Sequence, residues 1–173
     1  TSTKSIAFYS HGQWLRNRLQ RADNGLNLED SEEKLLVVLS ELVNELNLEL
    51  TIFLHPLEKK NIALAQKHYA EKLNVTFQWG NPEERSAQSF QDFHWGIGAM
   101  SSVIFERLLL GYKTILFQSP GYIFPIKNSG LRNICFDQKQ DIQTCWEEHE
   151  TCSAEQFFQE KNLLEYYHFP EVK

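Results

Sequence analysis

At 173 residues, with 42% hydrophobic and 23% charged side chains, the chain has enough apolar material for one compact domain with a core and too little for two full ones. Its 17 Lys and Arg against 23 Asp and Glu give a net charge of −6, so bulk charge recommends neither nucleic acid nor an acidic membrane as a partner, and any anion must be bound locally. No run approaches the roughly 20 apolar residues of a membrane span, and the first residues lack a signal-peptide pattern, so a soluble protein without a transmembrane segment is expected.

The three cysteines, Cys135, Cys145 and Cys152, are odd in number and lack the paired C-x-x-C spacing of a zinc module. A reducing cytoplasm fits them, and no metal site is expected. The chain begins Thr1-Ser2-Thr3 without an initiator methionine, which suggests a processed product or a piece of something longer.

Strand and helix signals alternate along the chain. Ser5 to Tyr9 reads as a strand closed by Ser10-His11-Gly12, followed by a short helix around Trp14 to Arg21 with Trp14, Leu15 and Leu19 buried. Leu35, Leu39, Leu42 and Leu46 recur at helical spacing, so a helix is expected over Ser31 to Leu46, capped by Asp30 or Ser31. Leu48 to Leu54 is a strand that stops at His55-Pro56 because proline has no amide hydrogen for a ladder. Then come a helix at Asn61 to Leu73, a strand at Val75 to Trp79, a helix at Pro82 to Phe90, and a strand at His94 to Gly98. Ser102 to Leu110 is a helix ended by Gly111, Thr114 to Phe117 and Ile134 to Phe136 are strands, and helices at Asp141 to Glu150 and Ser153 to Tyr167 finish the chain. Strands separated by helices imply parallel pairing, hence a Rossmann-like three-layer α/β/α sandwich with a mostly parallel sheet. Ligands of such sheets bind beyond the carboxyl ends of the strands, which puts Ser10–Gly12, His55-Pro56, Gly98–Ser102 and Gln118–Gly121 on one rim.

Two features on that rim carry chemistry. In Gly96-Ile97-Gly98-Ala99-Met100-Ser101-Ser102 a strand runs through glycines into two hydroxyls and a helix start, where unpaired amides and the helix dipole would hold a phosphate. The plainer reading makes Ser101 or Ser102 an N-cap. The same residues imitate a dinucleotide G-x-G-x-x-G, but Gln118 or Ser119 stands where the ribose-binding acid belongs. The second feature, His55, is a histidine at the end of a strand that can be protonated or neutral near pH 7, so it can neutralise a phosphate or donate a proton to it; standing alone, a His-Pro is usually only a strand exit.

Together, Leu54-His55-Pro56 and Gly-x-x-Ser101-Ser102-x-x-x-Glu106, followed by Leu-Leu-Gly111-Tyr-Lys113-Thr-Ile, resemble the carboxy-terminal half of GT-B glycosyltransferases. The closest groups are the bacterial sialyl- and polysialyltransferases, with their HP and serine motifs, and the CDP-glycerol glycerophosphotransferases. The resemblance spans about Ser5 to Phe117. It implies a single domain binding a CMP- or CDP-activated donor, in which His55 stabilises or protonates the leaving phosphate, Ser101 and Ser102 hold its oxygens, and Glu106 meets ribose or base. It also implies an inverting, metal-independent transfer to a glycan acceptor in cell-surface polysaccharide synthesis. The protein would be cytoplasmic or peripheral at the inner face of the membrane. Ala99-Met100 departs from the glycerophosphotransferase pattern and favours a sugar donor. The acidic D/E-D/E-G base motif of the amino-terminal half has no counterpart, since Glu32-Glu33 is followed by lysine. The chain therefore resembles the donor half alone, expected to be inactive without an amino-terminal acceptor domain. The alternative is a non-catalytic Rossmann-like nucleotide-binding or interaction module.

In such enzymes the loop after the first strand reaches the donor. Gly12 would allow close approach, and Arg16 is weighed as a phosphate ligand against a wet helix residue; Arg18 and Arg21 are read as wet. His68, His149 and His168 are read as solvated, and His94 as having no ligand partner at metal spacing. Tyr122, Phe124 and Pro125 are read as an aromatic loop packing against a missing domain.

Overall fold

Ser5–Tyr9, five consecutive buried residues, form β1, and burial on both faces is what a central strand of a parallel sheet requires. The computed structural model describes residues 2–20, 26–119 and 130–171, which hold β2 (Glu49–Phe53), β3 (Gln78–Trp79), β4 (Trp95–Gly98), β5 (Thr114–Phe117) and β6 (Cys135–Phe136). All the pairings among the described residues are parallel, in the order β3-β2-β1-β4-β5-β6, with Phe8 opposite Ile52 on one side of β1 and Ile97 on the other. This is an α/β Rossmann-like fold. Strand order reverses between β1 and β4, and that crevice is where such sheets take ligands.

Helices α1 (Gln13–Gln20), α2 (Leu26–Leu46), α3 (Pro56–Lys59), α4 (Ile62–Lys72), α5 (Ser102–Leu109), α6 (Lys139–His149) and α7 (Ala154–Glu160) cover the sheet, with 3-10 helices at Ser86–Asp92 and Gly130–Asn133. Successive strand residues point to opposite faces. Phe8 thus meets Tyr69 of α4 on one face, while Tyr9 meets Phe90 and Arg107 on the other, where α5 lies. Trp95 faces the α4 side and packs on Trp146 of α6, leaving Gly96 and Gly98 toward α5.

Several boundaries differ from the sequence pattern. Helix α2 starts at Leu26, so Asp30 and Ser31 lie inside it rather than capping it. Asp30 pairs with Lys34 one turn on at 3.0 Å, and Ser31 accepts the Ser119 N–H at 2.9 Å. β3 is reduced to two residues because it is an edge strand, paired with β2 alone. Pro82 opens a turn instead of a helix, since Asn81 takes the Glu83 N–H with its side chain at 3.0 Å; the 3-10 helix starts later. Helix α7 stops at Glu160, where Asn162 adopts a left-handed φ of 58°. Leu19 is 52% exposed, not buried. Arg21, Gly121 and the Tyr122, Phe124 and Pro125 loop lie outside the described residues.

One side chain ties the α5 face together. Arg107 is fully buried with no carboxylate beside it among the described residues; Nε donates to Lys113 O at 3.1 Å, Nη1 to Phe90 O at 3.0 Å and Tyr9 Oη at 3.2 Å, and Nη2 to Phe93 O at 2.8 Å. It also lies over the Phe90 and Tyr112 rings. A Cβ at position 96 would come within 2.3 Å of its Cδ and Nε, so Gly96 is space for this guanidinium. Gly98 likewise clears Tyr9 O, 2.8 Å from a would-be Cβ. Both glycines of the G-x-G pattern thus serve packing inside β4. Arg107→Met keeps volume but leaves the Phe93 carbonyl and the Tyr9 hydroxyl without this donor, and leaves the Phe90 and Lys113 carbonyls with only the Phe93 and Gly96 N–H groups. It should cost about 3 kcal/mol or more, measured as a fall in the urea midpoint, with Arg107→Lys intermediate.

Candidate functional site

A cavity of about 250 Å³ opens at the crevice between β1 and β4. Tyr9 and Ser10 bring it the end of β1, Leu54, His55 and Pro56 the end of β2, and Ser101, Ser102 and Glu106 the start of α5. Lys59 of α3 and Arg85, just before the 3-10 helix, add two cations to the wall. The histidine, the serine pair and the glutamate singled out from sequence therefore line one cavity, although His55 and Ser101 come from different crossovers. Arg85 and Lys59 carried no sequence signal, because only the fold brings them to the rim.

His55 is more than a strand exit. Its backbone is extended (φ −66°, ψ 151°), and it is the N-cap of α3 in a capping box with Glu58. The ring Nδ1 accepts the Leu57 N–H at 3.1 Å, and the His55 N–H donates to Glu58 Oε1 at 2.8 Å. An Nδ1 that accepts a hydrogen bond carries no proton, so the neutral ring bears it on Nε2. Burial, followed by the influence of Glu58 in the opposite direction and then of Arg16, leaves the imidazole pKa below its usual value. His55-Pro56-x-Glu58 was readable as a capping pattern, and that was the signal missed.

On the opposite wall Ser101 occupies the N-cap position of α5, yet its side chain makes no capping bond, and its Oγ is buried without a partner. The hydroxyl is spare, as are the first-turn amides it would have capped. Ser102 is exposed. Glu106 is half-exposed and stands 3.5 Å from Arg85 Nη2, an ion pair weak enough to exchange. Lys59 Nζ donates to the Glu84 carbonyl at 2.9 Å, which orients its charge without cancelling it.

Gly12 and Arg16 fall outside the cavity wall. Gly12 has φ 68°, and a Cβ there would lie 3.0 Å from the His55 Cγ and Nδ1, so the glycine makes room for the histidine ring rather than for a ligand. Arg16 is exposed, with Nη1 3.4 Å from Gln13 Oε1, and it acts on His55 electrostatically. Two histidines read as solvated are not. His68 stacks flat on Trp14 at 3.7 Å, and His149 is buried, its Nδ1 3.0 Å from Glu160 Oε2. The three thiols are free, and no cluster of three or more His, Cys, Asp or Glu able to hold a metal occurs among the described residues. No helix among them is long and apolar enough to cross a membrane. No protein-family model and no curated protein matches this chain.

Burial against Trp14, then Lys72 and Arg18, pushes the His68 pKa down to about 4. The unfolded chain thus binds a proton there from about pH 6.5 downward that the fold excludes, and this contribution to stability is present above that pH and lost as pH falls toward 4. Buried Glu32, whose pKa is raised by burial, works in the opposite direction. The difference between wild type and His68→Gln isolates the histidine. The variant should gain stability relative to wild type as pH drops from 6.5 to 4, measured by urea denaturation at each pH.

Proposed function

We propose that the cavity binds the phosphate of a nucleotide-activated donor, and that the chain is the donor-binding part of a sialyltransferase-like GT-B glycosyltransferase using a CMP- or CDP-linked sugar. The observation that supports this best is the convergence of an unpaired serine hydroxyl, an uncapped helix start, a histidine and two cations on one cavity at the switch point of a chain with net charge −6. Ser101, Ser102 and the first amides of α5 hold phosphate oxygens, His55 donates a hydrogen bond from Nε2, and Lys59 and Arg85 offset the charge that grows on the departing phosphate. Among the described residues Glu106 is the one carboxylate on the wall, and it faces Arg85. The base that activates a glycan acceptor therefore comes from outside this cavity, in keeping with an acceptor domain facing it. Alone, the chain binds donor and does not turn it over.

The isolated chain should bind CMP or CDP in the presence of chelator with an affinity on the order of 0.1–1 mM, because one side of the nucleotide stays in water. Ser101→Ala with Ser102→Ala should weaken that binding at least tenfold in calorimetry, with little change in melting since Ser101 Oγ caps nothing. No saturable binding of any nucleotide up to several millimolar would instead favour an interaction module.

Glu106 and Arg85 give a second test, of opposite sign. Glu106→Gln releases Arg85 and should tighten inorganic phosphate by about threefold, whereas Arg85→Ala should weaken it by a similar factor. If Glu106 also meets ribose, the same Glu106→Gln change weakens CMP while tightening phosphate. Titrating both ligands into each variant separates the two contributions.

A further inference from the structure

Behind the cleft lies a buried polar network that the phosphate reading does not use. Glu58, fully buried, accepts the His55 N–H on Oε1 at 2.8 Å, while its Oε2 accepts the Trp14 Nε1–H at 2.7 Å and the Tyr69 hydroxyl at 2.6 Å. Tyr69 Oη stands 2.6 Å from Ser10 Oγ, and Ser10 Oγ donates to Glu32 Oε1 at 3.2 Å. Both glutamates thus receive a histidine backbone N–H at the end of a strand: Glu58 that of His55, and Glu32 Oε2 that of His11 at 3.1 Å.

The two histidines share one device and differ in one atom. In each, Nδ1 accepts the backbone N–H two residues on, from Gln13 to His11 at 3.0 Å and from Leu57 to His55 at 3.1 Å. The Nε2 of His11 is 2.8 Å from Leu28 O, so its proton is committed. The Nε2 of His55 has no hydrogen-bond partner among the described residues, and its ring lines the cavity. Gly12 clears the ring from behind.

We infer that Glu58 is a positioning residue, held by Trp14 and Tyr69, which fixes the His55 backbone so that the Leu57 N–H reaches Nδ1, and that the ring, kept neutral by that donor, presents Nε2–H to the bound phosphate rather than giving up a proton. The inference rests on the phosphate reading for its ligand but not for its tautomer. Protonating His55 would add a hydrogen at Nδ1, against the Leu57 N–H, and so break the cap that starts α3. The charged and titratable groups around the ring are Glu58 and Lys59 from α3, Arg16 from α1, and His11 from the loop after β1. Of these, Arg16, His11 and Lys59 disfavour the imidazolium, and Glu58 alone favours it. Glu58 meets the ring's own backbone N–H and already accepts two further hydrogen bonds, so its charge is spread over three donors.

The test uses the chain itself, CMP as probe, and the nitrogen shifts of the imidazole rings by NMR. In wild type at pH 7.5 His55 should be the Nε2–H tautomer, and it should stay so when CMP is added. An Nδ1–H or doubly protonated ring in the free protein overturns the inference even if CMP never binds, while a correct tautomer with no CMP binding removes only the phosphate reading. Removing the carboxylate orphans the Trp14 donor, so the variants are made with Trp14→Phe; Tyr69 retains Ser10 as a partner. In that background Glu58→Gln keeps an acceptor for the His55 N–H and should hold the tautomer and CMP affinity within about twofold. Glu58→Met should give both tautomers and weaken CMP at least tenfold. Should Glu58→Met fold and leave tautomer and affinity unchanged, Glu58 is merely structural; should it fail to fold, Glu58→Gln decides, since a lost Nε2–H tautomer with the backbone acceptor kept overturns the positioning role and a retained one supports it.

Discussion

A guanidinium buried without a counterion is the constraint on which the α5 side of this molecule depends. Arg107 has no carboxylate partner among the described residues, so its charge is satisfied by the carbonyls of Phe90, Phe93 and Lys113 and by the Tyr9 hydroxyl. Those acceptors belong to the 3-10 helix, the turn into β4, the turn into β5, and β1. The Phe90 and Lys113 carbonyls also accept backbone N–H groups, from Phe93 and Gly96, so the dependence runs mainly the other way: a buried guanidinium needs all of these acceptors held in place. The result is that α5 has one seating on the sheet, and its amino end, with Ser101 and Ser102, projects over the crevice opposite His55. Gly96 follows from the same requirement, because any side chain there would displace the guanidinium.

The α4 side is organised differently, by acids rather than a cation. Glu58 and Glu32 are almost fully buried and are joined through Tyr69 and Ser10. Burial raises the Glu32 pKa, and the adjacent Glu58 adds to the rise, against the lowering by His11. Two carboxylates sharing a hydroxyl bridge are costly to keep in a core. What they accomplish is local: each fixes the backbone at the exit of a strand, β1 at His11 and β2 at His55, where the chain turns over the ligand crevice. The two walls of the cavity are thus set by independent buried polar centres, Arg107 on one side and Glu58 on the other.

The architecture was legible because its signal is periodic. β1 and β5 match the sequence reading residue for residue, since continuous apolar runs between turn residues have one solution in a parallel sheet. The failures are where local chemistry outweighs periodicity: Asn81 diverts the Pro82 segment into a turn, and Asn162 stops α7 short of Tyr167. Of the site, His55, Ser101, Ser102 and Glu106 were legible as motifs, and the fold brings them to one cavity. Gly12 and Arg16 were read as ligand contacts because a glycine after a strand looks like a phosphate approach; instead Gly12 yields space to the His55 ring. Arg85, Lys59 and Tyr69 were invisible, since a charge or a hydroxyl gains its role only from neighbours far along the chain.

The distribution of charge gives the cleft a selectivity that composition alone would not predict. With a net charge of −6, the surface as a whole repels polyanions at long range, but screening at physiological salt confines each charge to about 8 Å. Within that radius a small anion in the cavity meets Lys59, whose one hydrogen bond is to a carbonyl, and Arg85, whose pairing with Glu106 at 3.5 Å is loose. It also meets an unpaired hydroxyl and helix amides, which carry no net charge and so do not attract polyanions from a distance. A nucleic acid must bring many phosphates against an acidic surface to place one of them here, whereas a mononucleotide brings one or two. On the phosphate reading, therefore, selection of a small activated donor over a polymer follows from confining these cations to one cavity of a chain whose net charge is −6.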